Sequence, residues 1–425
     1  MKKTFLYLLL IGSMILIIPS CQKTIDKPFM KPEERSSANQ SNANENQKRV
    51  YVSNLDELYA AVNDAENAGS TVILAPGTYV LNASYPNGGR LELQTDMQLQ
   101  GQPGQADAVI IDQSALPASS FVILLVPTGG IRVGRGTNSL EWLSLKGGLF
   151  SVSAFAVISC DLLSTETSVE ISHVNIVSNG CRIGIDLRNR LAEHAGRKIN
   201  ALLTNNEISG FVHSLGFGIT VFNFNEASGS SINLSMRNNY VHGNKIGLIT
   251  SNSAAGVRSL LNGTIDISSH ADRFEGNGCA IDPSGGVSSS VTAVANNNSV
   301  IIKMYGSSIR GNNPTGIPEL APVNGAFPGG IFAVGGFSSL NAIGGNNKTN
   351  DNTLKIELRD CDISDNNGTD IYAFGAWCNP AAVVAGVNNL VEISLFGISA
   401  NAAVNAVAST PAEPAGTNAV NVFRN

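Results

Sequence analysis

The chain has 425 residues, of which 43% are hydrophobic and only 14% charged, with 43 glycines and a formal net charge of -6. So apolar a composition excludes a disordered chain. The acidic balance excludes nucleic acid as the main partner, because phosphate recognition needs an excess of lysine and arginine.

In chain order, Lys2 and Lys3 precede an apolar run from Phe5 to Ile18, and "IIPSC" ends at Cys21. This reads as processing signal rather than fold, and the run is shorter than the ~20 residues of a membrane-spanning helix. A small residue before a cysteine at the end of such a run resembles the lipobox of bacterial lipoproteins. That resemblance implies that residues 1–20 are a signal peptide and that Cys21 is lipidated. With Gln22 following rather than Asp, it implies an outer-membrane anchor, the domain facing periplasm or cell surface. The plain alternative is an ordinary export signal with an incidental cysteine. Residues 21–49 are polar and read as a flexible tether, leaving 50–425 as the folded domain. Its cysteines, Cys160, Cys181, Cys279, Cys361 and Cys378, are scattered without a CxxC pair. They are expected as buried thiols, not as disulfides or zinc ligands.

The domain opens with Leu55, Leu58, Ala61, Val62 and Ala65 on one helical face, with Asn54 placed as N-cap. "TVILAPGTYVL" then reads as strand, Pro-Gly turn and strand. Further on a short pattern recurs: "NIVSN" (Asn175 to Asn179), "YVHGN" (Tyr240 to Asn244), "RFEGN" (Arg273 to Asn277), "SIRGN" (Ser308 to Asn312) and "DISDN" (Asp362 to Asn366), with a weaker "EISGF" at Glu207 to Phe211. The apolar anchors Ile176, Ile208, Val241, Phe274, Ile309, Ile363 and Ile398 are spaced 32, 33, 33, 35, 54 and 35 residues apart. Before each anchor lies an alternating strand, as in "INLSMR" and "LKIELR"; after each turn comes a short apolar strand, as in "KIGLITS" and "CAIDPS". No segment here has helical periodicity.

This is the signature of a solenoid in which each coil pairs with the next. Asparagine then has a cause. It tolerates left-handed backbone at tight turns, and stacked side-chain amides can bond from coil to coil. Asn179, Asn244, Asn277, Asn312 and Asn366 are expected to form such a ladder, interrupted at Phe211.

The segment from Leu55 to Leu81, and "MQLQGQPGQADAVIID" from Met97 to Asp112, resemble the start of right-handed parallel β-helix proteins of the pectin lyase-like superfamily. The resemblance implies an all-β, right-handed parallel β-helix with a short N-terminal capping helix. It leaves function open, because the superfamily includes lyases, hydrolases, epimerases and non-enzymatic adhesins. It implies a polysaccharide ligand and a groove along an outer strand face. No aspartate cluster like the calcium site of pectate lyases is present, nor a paired aspartate like that of polygalacturonases. No metal ligand is therefore assigned, and the cofactor, calcium included, stays open.

Aligning coils on the anchors sorts the strand before the bend into columns. Val169, Ala201, Leu234, Ile267, Ile302, Ile356 and Val391 form one inward column; Ile171, Leu203, Met236, Ser269, Met304, Leu358 and Ile393 form another. Between them, Ser172, Thr204, Arg237, His270, Tyr305, Arg359 and Ser394 must face outward, as must Lys303, Glu357 and Glu392. Arg237 and Arg359 are candidate ligands for carboxylates or sulfates, with Asp266 and Glu357 as further substrate-binding residues. His270, Lys303 and Tyr305 are candidate proton-transfer groups. The competing reading is a solvated face of a structural or adhesin-like rod. His173 and His213 have no evident partner, and His194 reads as part of a solvated loop.

Overall fold

A computed structural model describes residues 47–117, 129–148, 156–162, 164–190, 192–213, 216–255, 258–288, 293–315, 329–338, 349–378, 386–398, 402–410 and 418–425. The expectations for the signal peptide, Cys21 and most of the tether lie outside them, as does the side chain of Cys378.

One coil shows how the sequence builds the fold. Ser231–Arg237 is a strand with Ile232, Leu234 and Met236 buried. A two-residue bend leads to Tyr240–His242, with Val241 buried. A second bend leads to Ile246–Ala254, and the chain returns to Thr264–His270 beside the first strand. Repetition gives three parallel sheets of 12, 9 and 10 strands, which we call first, second and third in the order one coil visits them. The protein is an all-β parallel β-helix. Val241 lies beside Phe274 and Ile309 beside Ile363, as the anchors require. The anchors share one continuous core with the inward columns.

The first bend divides the labour between two residues. The leading one is left-handed on successive coils: Asn205, Asn238, Ala271 and Asp360 have φ between 51° and 56°. Glycine follows the same rule at Gly306 (φ 57°). The next residue is buried and bonds between coils: Asn206 Nδ2 donates to Asn239 Oδ1 (2.9 Å), and Asn239 Nδ2 donates to Asp272 Oδ1 (2.8 Å). Ser269 Oγ donates to the other Asp272 oxygen (2.6 Å), which explains the one polar residue in an inward column.

The second bend carries the expected ladder. Asn244 Nδ2 donates to Asn277 Oδ1 (3.1 Å), Asn277 to Asn312 (3.2 Å) and Asn312 to Asn366 (2.9 Å). Phe211 does not end it, because its backbone N–H donates to Asn244 Oδ1 (3.1 Å). Asn179, one coil below, is partly exposed and lies beyond the run of bonded amides. A further ladder, not foreseen, runs Asn298, Asn352, Asn389 and Asn418 where the chain enters the first sheet, with amide bonds of 3.0 to 3.1 Å.

At the N-terminal end the helix Leu55–Asn63 covers the core with Leu58, Tyr59, Ala61 and Val62. Asn54 Oδ1 accepts from Glu57 N (3.0 Å) as the N-cap, and the Glu57 carboxylate accepts from Ser53 N (2.7 Å), one residue ahead of the cap. Ala65 departs from expectation: the helix stops before it and leaves it exposed. Tyr59 takes over, its hydroxyl donating to Gly89 O (2.6 Å).

The last coil also departs. Arg359 pairs with Phe396 and Leu358 with Leu395, so Ser394 is not above Arg359 and Ile393 lies beside Ile356. The anchor chosen for that coil, Ile398, follows the left-handed Gly397 outside any strand. The third-sheet strands Ile246–Ala254 and Cys279–Ser288 also run on past the short apolar stretches "KIGLITS" and "CAIDPS".

Cys160, Cys181, Cys279 and Cys361 are buried and free. His194 is not solvated: it is 1% exposed, its Nδ1 accepting from Arg190 N (3.0 Å). His173, in the left-handed bend position, stacks on Trp142 with centroids 3.8 Å apart and bonds Asn205 (3.0 Å).

Candidate functional site

Two outer faces carry chemistry. On the first sheet Arg237, His270, Tyr305, Arg359 and Phe396 stand one above another. The rings of His270 and Tyr305 stack at 4.8 Å, with planes 16° apart. The Arg359 guanidinium lies 4.3 Å over the Phe396 ring, and its Nε donates to Glu357 Oε1. Lys303 is beside Glu357 in register, but Glu357 bonds Arg359 instead. Neither Lys303, Arg237 nor Asp266 makes a hydrogen bond or ion pair with the described residues. Asp266 is on the His270 strand but four residues away, about 13 Å along it. The register therefore gathers the two arginines, His270, Tyr305, Lys303 and Glu357, and leaves Asp266 apart. Arg237, His270 and Arg359 are exposed on an open strand surface, suited to contact with a long charged ligand.

The outer face of the third sheet is different. Here strands are buried on both sides; all seven residues of Ile183–Asn189 are buried. The first coils carry charge. Arg132 pairs with Glu92 and, through Nε, with Asp161 (3.1 Å). Asp186 takes both Arg188 (3.0 Å) and Arg190 (3.2 Å). Burial pushes the Asp161 carboxyl upward, against the pull of Arg132, and pushes Arg190 downward. The last described coils carry aromatic rings. Trp377 meets Phe332 edge-on at 5.4 Å and Phe337 at 5.0 Å.

Between these halves lies a notch, and register explains it. One outward column reads Phe222, Ser251, Ser284 and Val334; its neighbour reads Thr220, Ile249, Asp282 and Phe332. Small side chains on two successive coils, with rings to either side, leave a cavity of about 250 Å³. Its lining comprises Phe222, Ile249, Ser251, Ser253, Asp282, Ser284, Val287, Phe332, Val334, Phe337 and Trp377. At about 30 Å³ per water it holds the equivalent of about eight waters, the scale of one sugar ring.

Asp282 is the single charged residue in its described lining. It is 9% exposed, and no described group hydrogen-bonds its carboxylate. Burial, with nothing to offset it, pushes its pKa up to about 7. A carboxyl so placed can exchange a proton near neutrality. Sequence reasoning missed this site. The strands "CAIDPS", "GGIFAVGGF" and "DIYAFGAW" read as continuous apolar runs, which conceal which residues face out. The one available signal was the aspartate inside such a run.

Among the described residues no group of three or more His, Cys, Asp or Glu is arranged to hold a metal ion. No family model matches the chain, and no curated protein does. Among solved structures, the chain is similar to pectate lyase Pel9A, with 13% identity over 87% of this chain and 82% of that one, and a TM-score of 0.39. It is also similar to the A-module of the mannuronan C-5 epimerase AlgE4 of Azotobacter vinelandii, with 14% identity over 87% and 95% and a TM-score of 0.33. A third is the catalytic unit of a GH87 alpha-1,3-glucanase from Streptomyces thermodiastaticus strain HF3-3, with 14% identity over 87% and 64% and a TM-score of 0.31. At these identities the likeness is one of fold alone.

Proposed function

We propose that this chain is a polysaccharide-binding β-helix protein and that the third-sheet notch seats a sugar residue. The observation that carries the reading is Asp282, a carboxyl without a hydrogen-bond partner among the described residues, lining a ring-sized cavity with Phe337 and Trp377. Aromatic faces pack against the apolar faces of sugar rings, and a convergent polar group fixes orientation. The test is a panel of neutral, uronate-containing and amino-sugar oligosaccharides, read by calorimetry with wild type and Trp377→Ala. Binding that the substitution weakens supports the reading; silence across the panel refutes it and leaves a structural or adhesin-like rod. Appearance of unsaturated products would identify elimination, and new reducing ends hydrolysis.

A second reading concerns the first sheet. Arg237 and Lys303 are cations without a partner among the described residues, on the same face as His270, Tyr305 and Arg359. They favour an anionic polysaccharide lying along the coils, with Glu357 orienting Arg359 and Asp266 at the margin. In this proposal Cys21 carries the lipid that holds the domain at the outer membrane. Labelled fatty acid should enter the wild-type protein and not Cys21→Ser; equal labelling would exclude the anchor.

A further inference from the structure

We infer that the notch selects a basic sugar: Asp282 receives the protonated amine of an amino-sugar residue, with Trp377 and Phe337 lining the same cavity against its ring. The inference rests on the glycan reading of this cavity and names its ligand class. The charge argument is direct. Among the described residues the lining has one ionisable side chain, and it is acidic. A uronate there would face a carboxylate, whereas an ammonium group would supply the counter-charge that no described residue gives Asp282. Trp377 and Phe337 are only partly buried, so their rings offer apolar surface to the face of the sugar. Phe332, 3% exposed, backs Trp377 edge-on. Serine hydroxyls at Ser251 and Ser284 can meet the sugar's own hydroxyls.

The groups around Asp282 are few. Cys279 is on its own strand, and burial holds that thiol in its neutral form. The neighbouring strand Ile331–Ser338 has no titratable residue. On the other side Lys245 is buried just ahead of Ile246–Ala254, and Arg188 is spent on Asp186 and stacked 4.9 Å over Phe222. Tyr372 lies one coil beyond Phe332. Among described residues, then, a ligand amine would meet Asp282 as the one open charge in the cavity.

Affinity is expected to rise between pH 5 and 7 as Asp282 ionises, then fall where the amine loses its own proton. Below neutrality, binding should release a proton, because the ammonium favours the carboxylate. The experiment is titration calorimetry of the full chain with a glucosamine oligomer and its fully N-acetylated counterpart, at pH 6 and 7, in two buffers of different ionisation enthalpy. We expect the free-amine oligomer to bind about tenfold tighter than the acetylated one, with proton release at pH 6. Asp282→Asn should bring the two within about twofold. Equal wild-type affinities, absence of proton release, or a preference that survives Asp282→Asn would each overturn the inference while other glycan binding kept the broader reading intact. Should Asp282→Asn fail to fold, the wild-type comparison and the proton count still decide. Failure of every glycan to bind would remove both.

Discussion

Asn277→Ala tests the architecture at a single rung. The Asn277 side chain accepts from Asn244 N (3.1 Å) and Asn244 Nδ2 (3.1 Å), and donates to Val241 O (3.0 Å) and Asn312 Oδ1 (3.2 Å). Asn277 and its ladder neighbours Asn244 and Asn312 are 0% exposed. Some of these losses are covered: Asn312 Oδ1 still accepts from Asn277 N (3.0 Å), and Asn244 Nδ2 still donates to Ile208 O (3.1 Å). The Asn244 backbone N–H is left without an acceptor, and an orphaned buried donor costs about 1–3 kcal/mol. With about 1 kcal/mol for the remaining bonds, the substitution should cost about 2–4 kcal/mol. A solenoid of this length need not unfold in one step, so the assay is local: amide hydrogen exchange read by mass spectrometry over residues 240–248. At 1.4 kcal/mol per tenfold, protection there should fall by roughly 30-fold to 1,000-fold. Peptides near the capping helix should be unchanged. A fall below about threefold would mean that the amide ladder adds little and that apolar stacking alone holds the coils.

Arg237→Ala and Arg359→Ala should each weaken binding of anionic oligosaccharides more than of neutral ones; equal losses would count against the first-sheet face. Arg359→Ala should have the larger effect, because it also frees Glu357, which now bonds Arg359. The pKa of His194 is depressed to about 4, first by burial and then by the charges of Arg197 and Arg190. Its folded value lies below the unfolded value of about 6.5, so the stability it contributes is present above pH 6.5 and lost as pH falls toward 4. Thermal melts should show wild type losing more over that range than His194→Asn, a comparison that cancels the other titrating groups; parallel curves would refute it. Burial pushes the Cys160 and Cys181 thiols up to about 11 and holds Cys279 well above the ordinary thiol range. These and Cys361 should resist iodoacetamide at pH 8 until urea unfolds the protein, and rapid native alkylation mapped by mass spectrometry would contradict the packing.

The legible parts of the fold follow from local rules. Arg237, His270, Tyr305 and Arg359 could be stacked from spacing alone, since first-sheet strands alternate buried and exposed residues and a one-residue slip would turn the core outward. Stacking by spacing failed at Phe396 because Arg359 to Phe396 spans 37 residues, two more than the 35 between Ile363 and Ile398, and Ile398 lies outside any strand. It placed Asn179 in the ladder because the motif matched, although the coil above has a phenylalanine there.

The sequence by itself determined the coil, its bends and the amide ladder of the second bend, because each depends on residues a fixed interval apart whose neighbours on the next coil obey the same rule. Only the tertiary structure decided where a ligand has room. Asp282 and Trp377 are 95 residues apart. The cavity between them depends on which residues of doubly buried strands face outward and on small side chains falling on two coils together. Hydrophobic pattern carries no sign of that, because a strand covered on both faces loses its alternation.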